Sequence, residues 1–141
     1  MTQPTNQCKI QFRVRYQETD NMGFVHHSVY FIWYEVGRTE WMRQFGLTYR
    51  ECEEKGWLMP LIEGGSKYIH PARYDDLVEV ETVLKLEKGA VFRFEYTVIN
   101  AADQTLLASG FTRHVCIDKE NKINKAATKY LQQSFKSIVS I

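Results

Sequence analysis

The side chains most capable of chemistry crowd into one short window: Tyr16, Glu18, Asp20, Gly23, His26, His27 and Tyr30. Carboxylates, imidazoles and phenols so close together suit acid–base or acyl-transfer work. Asp20 is the acid of choice. It stands in a polar loop, Glu18-Thr19-Asp20-Asn21-Met22-Gly23, shortly before an apolar segment that reads as a helix. A helix N-terminus presents unpaired N–H groups and a partial positive charge, which can hold an oxyanion. A carboxylate just ahead of such a terminus is placed to act on a carbonyl. Asp is also a common turn residue, so a plain loop or capping role fits the same position. His27 and Tyr30 are three apart and share one helix face. His27 either offers its backbone N–H to a carbonyl oxygen, with the ring orienting substrate, or starts the helix with a solvated ring. Tyr30 either meets substrate or is a core aromatic whose hydroxyl is satisfied internally. His26 reads as an exposed neighbour.

Other chemistries find less support. The chain holds no GxSxG elbow, HExxH, P-loop or GxGxxG pattern. Gly64-Gly65 reads as a strand bulge rather than a phosphate cradle. Lys85, Lys88 and Arg93 stand near a turn, where they either meet a phosphate or are simply solvated. Three cysteines, Cys8, Cys52 and Cys116, are far apart and form no CxxC, so neither a disulfide framework nor a zinc site is indicated. They read as free thiols of a reducing cytosol.

The elements that must position these residues follow from hydrophobic periodicity. Cys8 to Tyr16 alternates, with Ile10, Phe12, Val14 and Tyr16 on one face, and predicts a half-buried strand. From Ser28 to about Phe45 the apolar residues cover most of a helical circumference. That predicts a long helix buried on most sides and stopped at Gly46. A short helix over Thr48 to Lys55, ending at Gly56, is expected next. Four strands then follow: Trp57 to His70, Leu77 to Leu86, Val91 to Ile99 and Leu106 to Ile117, with a terminal helix over Asn124 to Ser137. Turns fall at Pro71 to Asp76, near Lys88-Gly89, and over Asn100 to Gln104. Links this short make the strands antiparallel. The expected fold class is α+β, a curved antiparallel sheet wrapped around one long helix, with open edges that a dimer would cover.

The chain has 141 residues, 44% apolar and 25% charged, and reads as one domain over 1–141. Eight Phe, eight Tyr and three Trp point to a substantial core, a buried interface, or both. A net charge of +1 gives no basic surface for nucleic acid. The polar stretch Met1 to Gln7 is not a secretory signal, and no apolar run reaches membrane-span length, so a cytoplasmic location is expected.

The run from Arg13 to Tyr30, RVRYQETDNMGFVHHSVY, resembles the start of the 4-hydroxybenzoyl-CoA thioesterase-like hotdog proteins, and most closely the branch associated with the Tol-Pal gene cluster. Those proteins carry a Thr-Asp or similar pair, a glycine loop and His-x-x-Tyr opening the long helix. Here these are Thr19-Asp20, Gly23 and His27-x-x-Tyr30. Tyr34-Glu35, Arg38-Thr39-Glu40, the connection Tyr68 to Asp76, and Val115 to Asp118 also match, so the resemblance spans roughly residues 9 to 135. It implies a hotdog fold and an acyl-CoA thioesterase, with acyl carrier protein as the other thioester carrier. It implies that Asp20 is the catalytic aspartate, as nucleophile forming a mixed anhydride or as general base on water. The His27 backbone N–H would serve the oxyanion hole, and Tyr30, Gly23 and Met22 would contact substrate. The implied active site lies at the interface of a homodimer, often paired into a homotetramer. The branch often has a small residue where this chain has Met22, which would either narrow the acyl channel or pack on the partner.

A thioester carbonyl is reactive enough to need no metal or redox cofactor, so none is expected beyond the coenzyme A of the substrate. Two rivals remain. A hotdog hydratase would be expected to carry Asp-x-Asn-x-x-His, against which this chain has Met22 and Val25. A non-catalytic acyl-thioester binding protein is the other.

Overall fold

Alternating patterns became strands wherever they were longest. A computed structural model describes residues 6–139. Its strands are β1 (Gln7–Arg13), β2 (Leu61–Tyr68), β3 (Leu77–Leu86), β4 (Phe92–Asn100) and β5 (Leu106–His114). The helices are α1 (Val29–Phe45), α2 (Tyr49–Glu54) and α3 (Lys125–Lys136). All strands join one antiparallel sheet in the order β1-β3-β4-β5-β2. The first two strands in sequence are therefore the two open edges, and α1 and α2 carry the chain from one edge to the other. This is the α+β hotdog arrangement that the sequence led us to expect.

Helix α1 lies across the inner face because its wide side chains fit there. Trp33, Tyr34, Trp41 and Met42 are fully buried against Val80, Leu84, Phe94 and Tyr96 of the sheet. The Tyr34 ring stacks on Tyr96 with centroids 4.4 Å apart, and its hydroxyl meets Ser66 Oγ at 2.6 Å. Gly110 permits this approach, since a Cβ there would stand 2.7 Å from the Tyr34 ring. Helix α3 closes the far end with Phe135 edge-on to Trp41, and Asn124 caps it by accepting the Ala127 N–H at 3.0 Å.

Several expectations need correction. The first strand stops at Arg13, because residues 16–18 turn into a short 3-10 helix. Tyr16 consequently leaves the inner face and is 77% exposed. The second strand runs over Leu61–Tyr68 rather than from Trp57 to His70, and its bulge sits between Leu61 and Glu63, not at Gly64-Gly65. Those glycines pair regularly with Thr112 and Phe111; side chains there would press on the rings of Phe31 and Phe111. The fifth strand ends at His114, after which Ile117 makes only isolated bridges, to Leu58 and to Ile123. Helix α1 is not covered all round either: Ile32 and Val36 stay 52% and 40% exposed. One sheet shields only one side of a helix. No helix among the described residues is long and apolar enough to cross a membrane.

Candidate active site between β1 and the start of α1

The loop from β1 to α1 is stitched to itself by backbone bonds. Thr19 and Val25 form an isolated bridge, and the Asp20 N–H donates to the Phe24 carbonyl at 2.8 Å. The His26 N–H donates to the Glu18 carbonyl at 2.9 Å, and the Val25 N–H to that of Ala72 at 2.9 Å. Gly23 closes the tip with φ of +82°, a conformation that costs a glycine little.

Asp20 Oδ1 accepts the N–H groups of Met22 at 2.9 Å and Phe24 at 3.3 Å. Its other oxygen takes no hydrogen bond from the described residues. The carboxylate thus caps its own loop, as a turn aspartate does, and has one oxygen left for another partner. Met22 projects from the loop, 72% exposed.

The start of α1 lacks a side-chain cap. Ser28 Oγ turns instead to His26 Nδ1 at 2.8 Å. The backbone N–H of His27 donates to no atom of the described residues, and its carbonyl accepts the Tyr68 hydroxyl at 3.1 Å. Both histidine rings are exposed and lie 4.1 Å apart by centroid. Tyr30 is placed in the core, with its ring 4.8 Å from Trp33 and 5.0 Å from Tyr68. Burial pushes its phenol up from the usual range. The structure therefore gathers Asp20, Met22, Gly23 and His27 on one stitched loop and tucks Tyr30 beneath it. No hydrogen bond joins Asp20 and His27.

Two residues named in the sequence reading take a part in this geometry that it did not assign. Glu18 is 5% exposed and accepts the Trp33 indole N–H at 3.0 Å. Tyr68, at the end of edge strand β2, ties His27 to the sheet. A groove of about 320 Å³ runs beside the loop, lined by Phe12, Ile32, Trp33 and Val36 together with Arg15 and Glu18.

The basic group near the β3–β4 turn lies on the outer sheet face. Lys85 and Arg93 both pair with Glu95, at 3.2 and 3.0 Å, and Arg93 stacks on Phe111. Lys88 is exposed. Among the described residues no group of three or more His, Cys, Asp or Glu is arranged to hold a metal ion. All three cysteines are buried, and burial pushes the Cys116 thiol up to about 11.

The chain is similar in sequence and fold to known proteins. Residues 14–135 match the family model described as Thioesterase-like superfamily. YneP of Bacillus subtilis (strain 168) is 35% identical over 80% of this chain and 81% of its own length. The acyl-CoA thioester hydrolase YbgC of Escherichia coli O6:H1 is 30% identical over 88% of this chain and 92% of its own. The crystal structure of the hypothetical protein TT1821 from Thermus thermophilus superposes with a TM-score of 0.85 at 32% identity, covering 96% of this chain and 99% of that one. A carboxylate on a pinned loop, next to an uncapped helix start under a five-stranded sheet, thus sits in a chain that belongs to the thioesterase-like superfamily.

Proposed function

We propose that the protein is an acyl-CoA thioesterase, hydrolysing an acyl-thioester to a free acid and coenzyme A. One observation carries this reading. A carboxylate oriented by two backbone N–H groups, with one oxygen unengaged, shares a stitched loop with an unpartnered N–H at the start of a buried helix. Asp20 then acts in one of two ways. As general base it takes a proton from water while the water oxygen bonds to the carbonyl carbon. As nucleophile its own oxygen bonds to that carbon, giving an anhydride that water opens. In both, the carbonyl oxygen gains negative charge that the His27 N–H receives, the carbon–sulfur bond breaks, and the thiolate leaves with a proton as the coenzyme A thiol. One such donor is worth roughly 3 kcal/mol of barrier. The chemistry asks for no metal or redox cofactor.

Met22, Gly23 and Tyr30 are the proposed substrate contacts, Met22 from the loop tip and Tyr30 from below. A second copy of the chain completes the site. Leu61, Ile62, Tyr68 and Ile69 are each 44–49% exposed on or beside edge strand β2, and Tyr68 reaches His27. Pairing along β2 would bury these side chains, with the Tyr68 end next to the helix start. The name of YbgC supports coenzyme A as the carrier. Membership of the Tol-Pal-associated branch, a cytoplasmic location and a single domain over 1–141 belong to the same reading.

The test is a panel of short-chain, long-chain and aromatic acyl-CoA substrates with the wild type and Asp20→Asn. Asn keeps the shape but not the charge, and kcat should fall at least about a hundredfold on the best substrate, with the circular dichroism unchanged. Near-normal turnover by a folded Asp20→Asn protein overturns the assignment.

A further inference from the structure

We propose that Glu18 is a positioning residue for this reaction, a buried carboxylate that fixes the Asp20 loop against the start of α1. The proposal deepens the Asp20 reading and rests on it. Glu18 is bonded at both ends of the loop. Its N–H donates to the Arg15 carbonyl at 3.0 Å, and its own carbonyl accepts the N–H of His26, the residue just before His27. Its side chain, 6% exposed, accepts the Arg15 N–H on Oε1 at 2.8 Å and the Trp33 indole N–H on Oε2 at 3.0 Å. The Arg15 guanidinium lies 3.5 Å from Oε2. Arg15 belongs to the segment leaving β1, and Trp33 to the second turn of α1. Glu18 therefore clamps the strand end, the helix and the segment ahead of His27, while Asp20 hangs two residues downstream.

The residue type follows from the donors. Two N–H groups point inward at the carboxylate from different elements, and each takes one oxygen. A carboxamide offers one acceptor and one donor, so glutamine satisfies a single N–H and turns its own NH2 against the other. A buried carboxylate without such bonds would be expensive, and this one is held by several, one of them from a cation. The clamp fixes the distance between the Asp20 carboxylate and the His27 N–H. A shift of an ångström between reacting groups can cost about a hundredfold in rate without loosening the substrate.

The experiment compares Glu18→Gln, Trp33→Phe, their combination and Asp20→Asn, on the full chain, with the best acyl-CoA of the panel. Assays run well below the measured unfolding temperature. Expected for Glu18→Gln is a kcat lower by about ten- to a hundredfold with KM within about threefold. Trp33→Phe keeps an aromatic ring but removes the indole N–H, and should lower kcat in the same sense. The double variant should be little worse than Glu18→Gln alone, since both cut one bond. An unimpaired kcat in folded Glu18→Gln, with Asp20→Asn inactive, overturns the clamp and leaves the aspartate reading standing. A kcat loss matched by an equal rise in KM also overturns it, as general loosening. Should Glu18→Gln not fold, Trp33→Phe decides: kcat equal to wild type overturns the clamp. An active Asp20→Asn enzyme removes the aspartate reading itself, whatever Glu18 does.

Discussion

Acid should destabilise this protein through His114, and the size of the effect can be worked from its surroundings. The ring is 1% exposed. Its Nε2 meets Thr112 Oγ1 at 2.9 Å and its Nδ1 the Met59 carbonyl at 3.2 Å. The tautomer that satisfies both has Nδ1–H donating to Met59 and Nε2 accepting from Thr112, whose oxygen in turn faces the Tyr96 hydroxyl. Protonation would force Nε2 to donate and the relay to reverse. Burial first, and the nearby Arg38 cation second, lower the imidazole from 6.5 to about 4. The unfolded chain takes up a proton as pH falls through 6.5, while the folded one stays neutral until about 4. Stability is therefore full above pH 6.5 and is lost between 6.5 and 4. The loss is about 2.5 kcal/mol by pH 4.5 and about 3 kcal/mol in all. That is a large share of the ~5–15 kcal/mol typical of a domain. Urea melts at one protein concentration, from pH 7.5 to 4.5, would measure it in the wild type and in His114→Gln. Glutamine can still donate to Met59 and accept from Thr112, but does not titrate. The wild type should lose about 2.5 kcal/mol relative to the variant over this range. A difference that stays constant with pH would refute the argument.

Two further outcomes are expected. Thiol-blocking reagents at pH 8 should leave native activity unchanged, since all three cysteines are buried and no step uses them; labelling should become fast only in denaturant. Inactivation of the folded enzyme that substrate prevents would count against this. Ile62→Lys places a charge on the exposed edge strand β2 and should shift the sedimenting species from dimer to monomer, with at least about a tenfold loss of turnover at assay dilution. A variant that sediments and turns over as the wild type does would exclude β2 as the pairing edge.

Local pattern carried the elements because their causes are local. Leu77 to Leu86 alternates without a break, and the strand has those bounds. The apolar run after Ser28 and the stop at Gly46 bracket α1 to within a residue. The misses share a different cause. Two adjacent glycines look like a bulge, but what selects them is space for Phe31, on the helix, and Phe111, on the neighbouring strand. Tyr16 continues an alternation that the Glu18 bonds cut short. In the candidate site, Asp20, Met22, Gly23 and His27 are consecutive enough to be read off one window. Tyr68 is 41 residues from the His27 carbonyl it meets, and only the sheet order brings it there.

Glu18 shows most sharply where such reading ends. Glu18 stands out in its window as a side chain capable of chemistry, but nothing in the run Gln17-Glu18-Thr19-Asp20 marks it as buried. Its burial is decided by Trp33, fifteen residues on, whose indole N–H needs an acceptor once the ring is packed against Phe12. An indole donor buried without a partner carries a desolvation penalty, so a bulky aromatic in the second turn of α1 imposes an acceptor on the loop facing it. The loop's acid nearest the strand end takes that duty, which leaves Asp20, two residues later, to cap the loop with one oxygen open. The division of labour between the two carboxylates thus follows from the packing of one tryptophan.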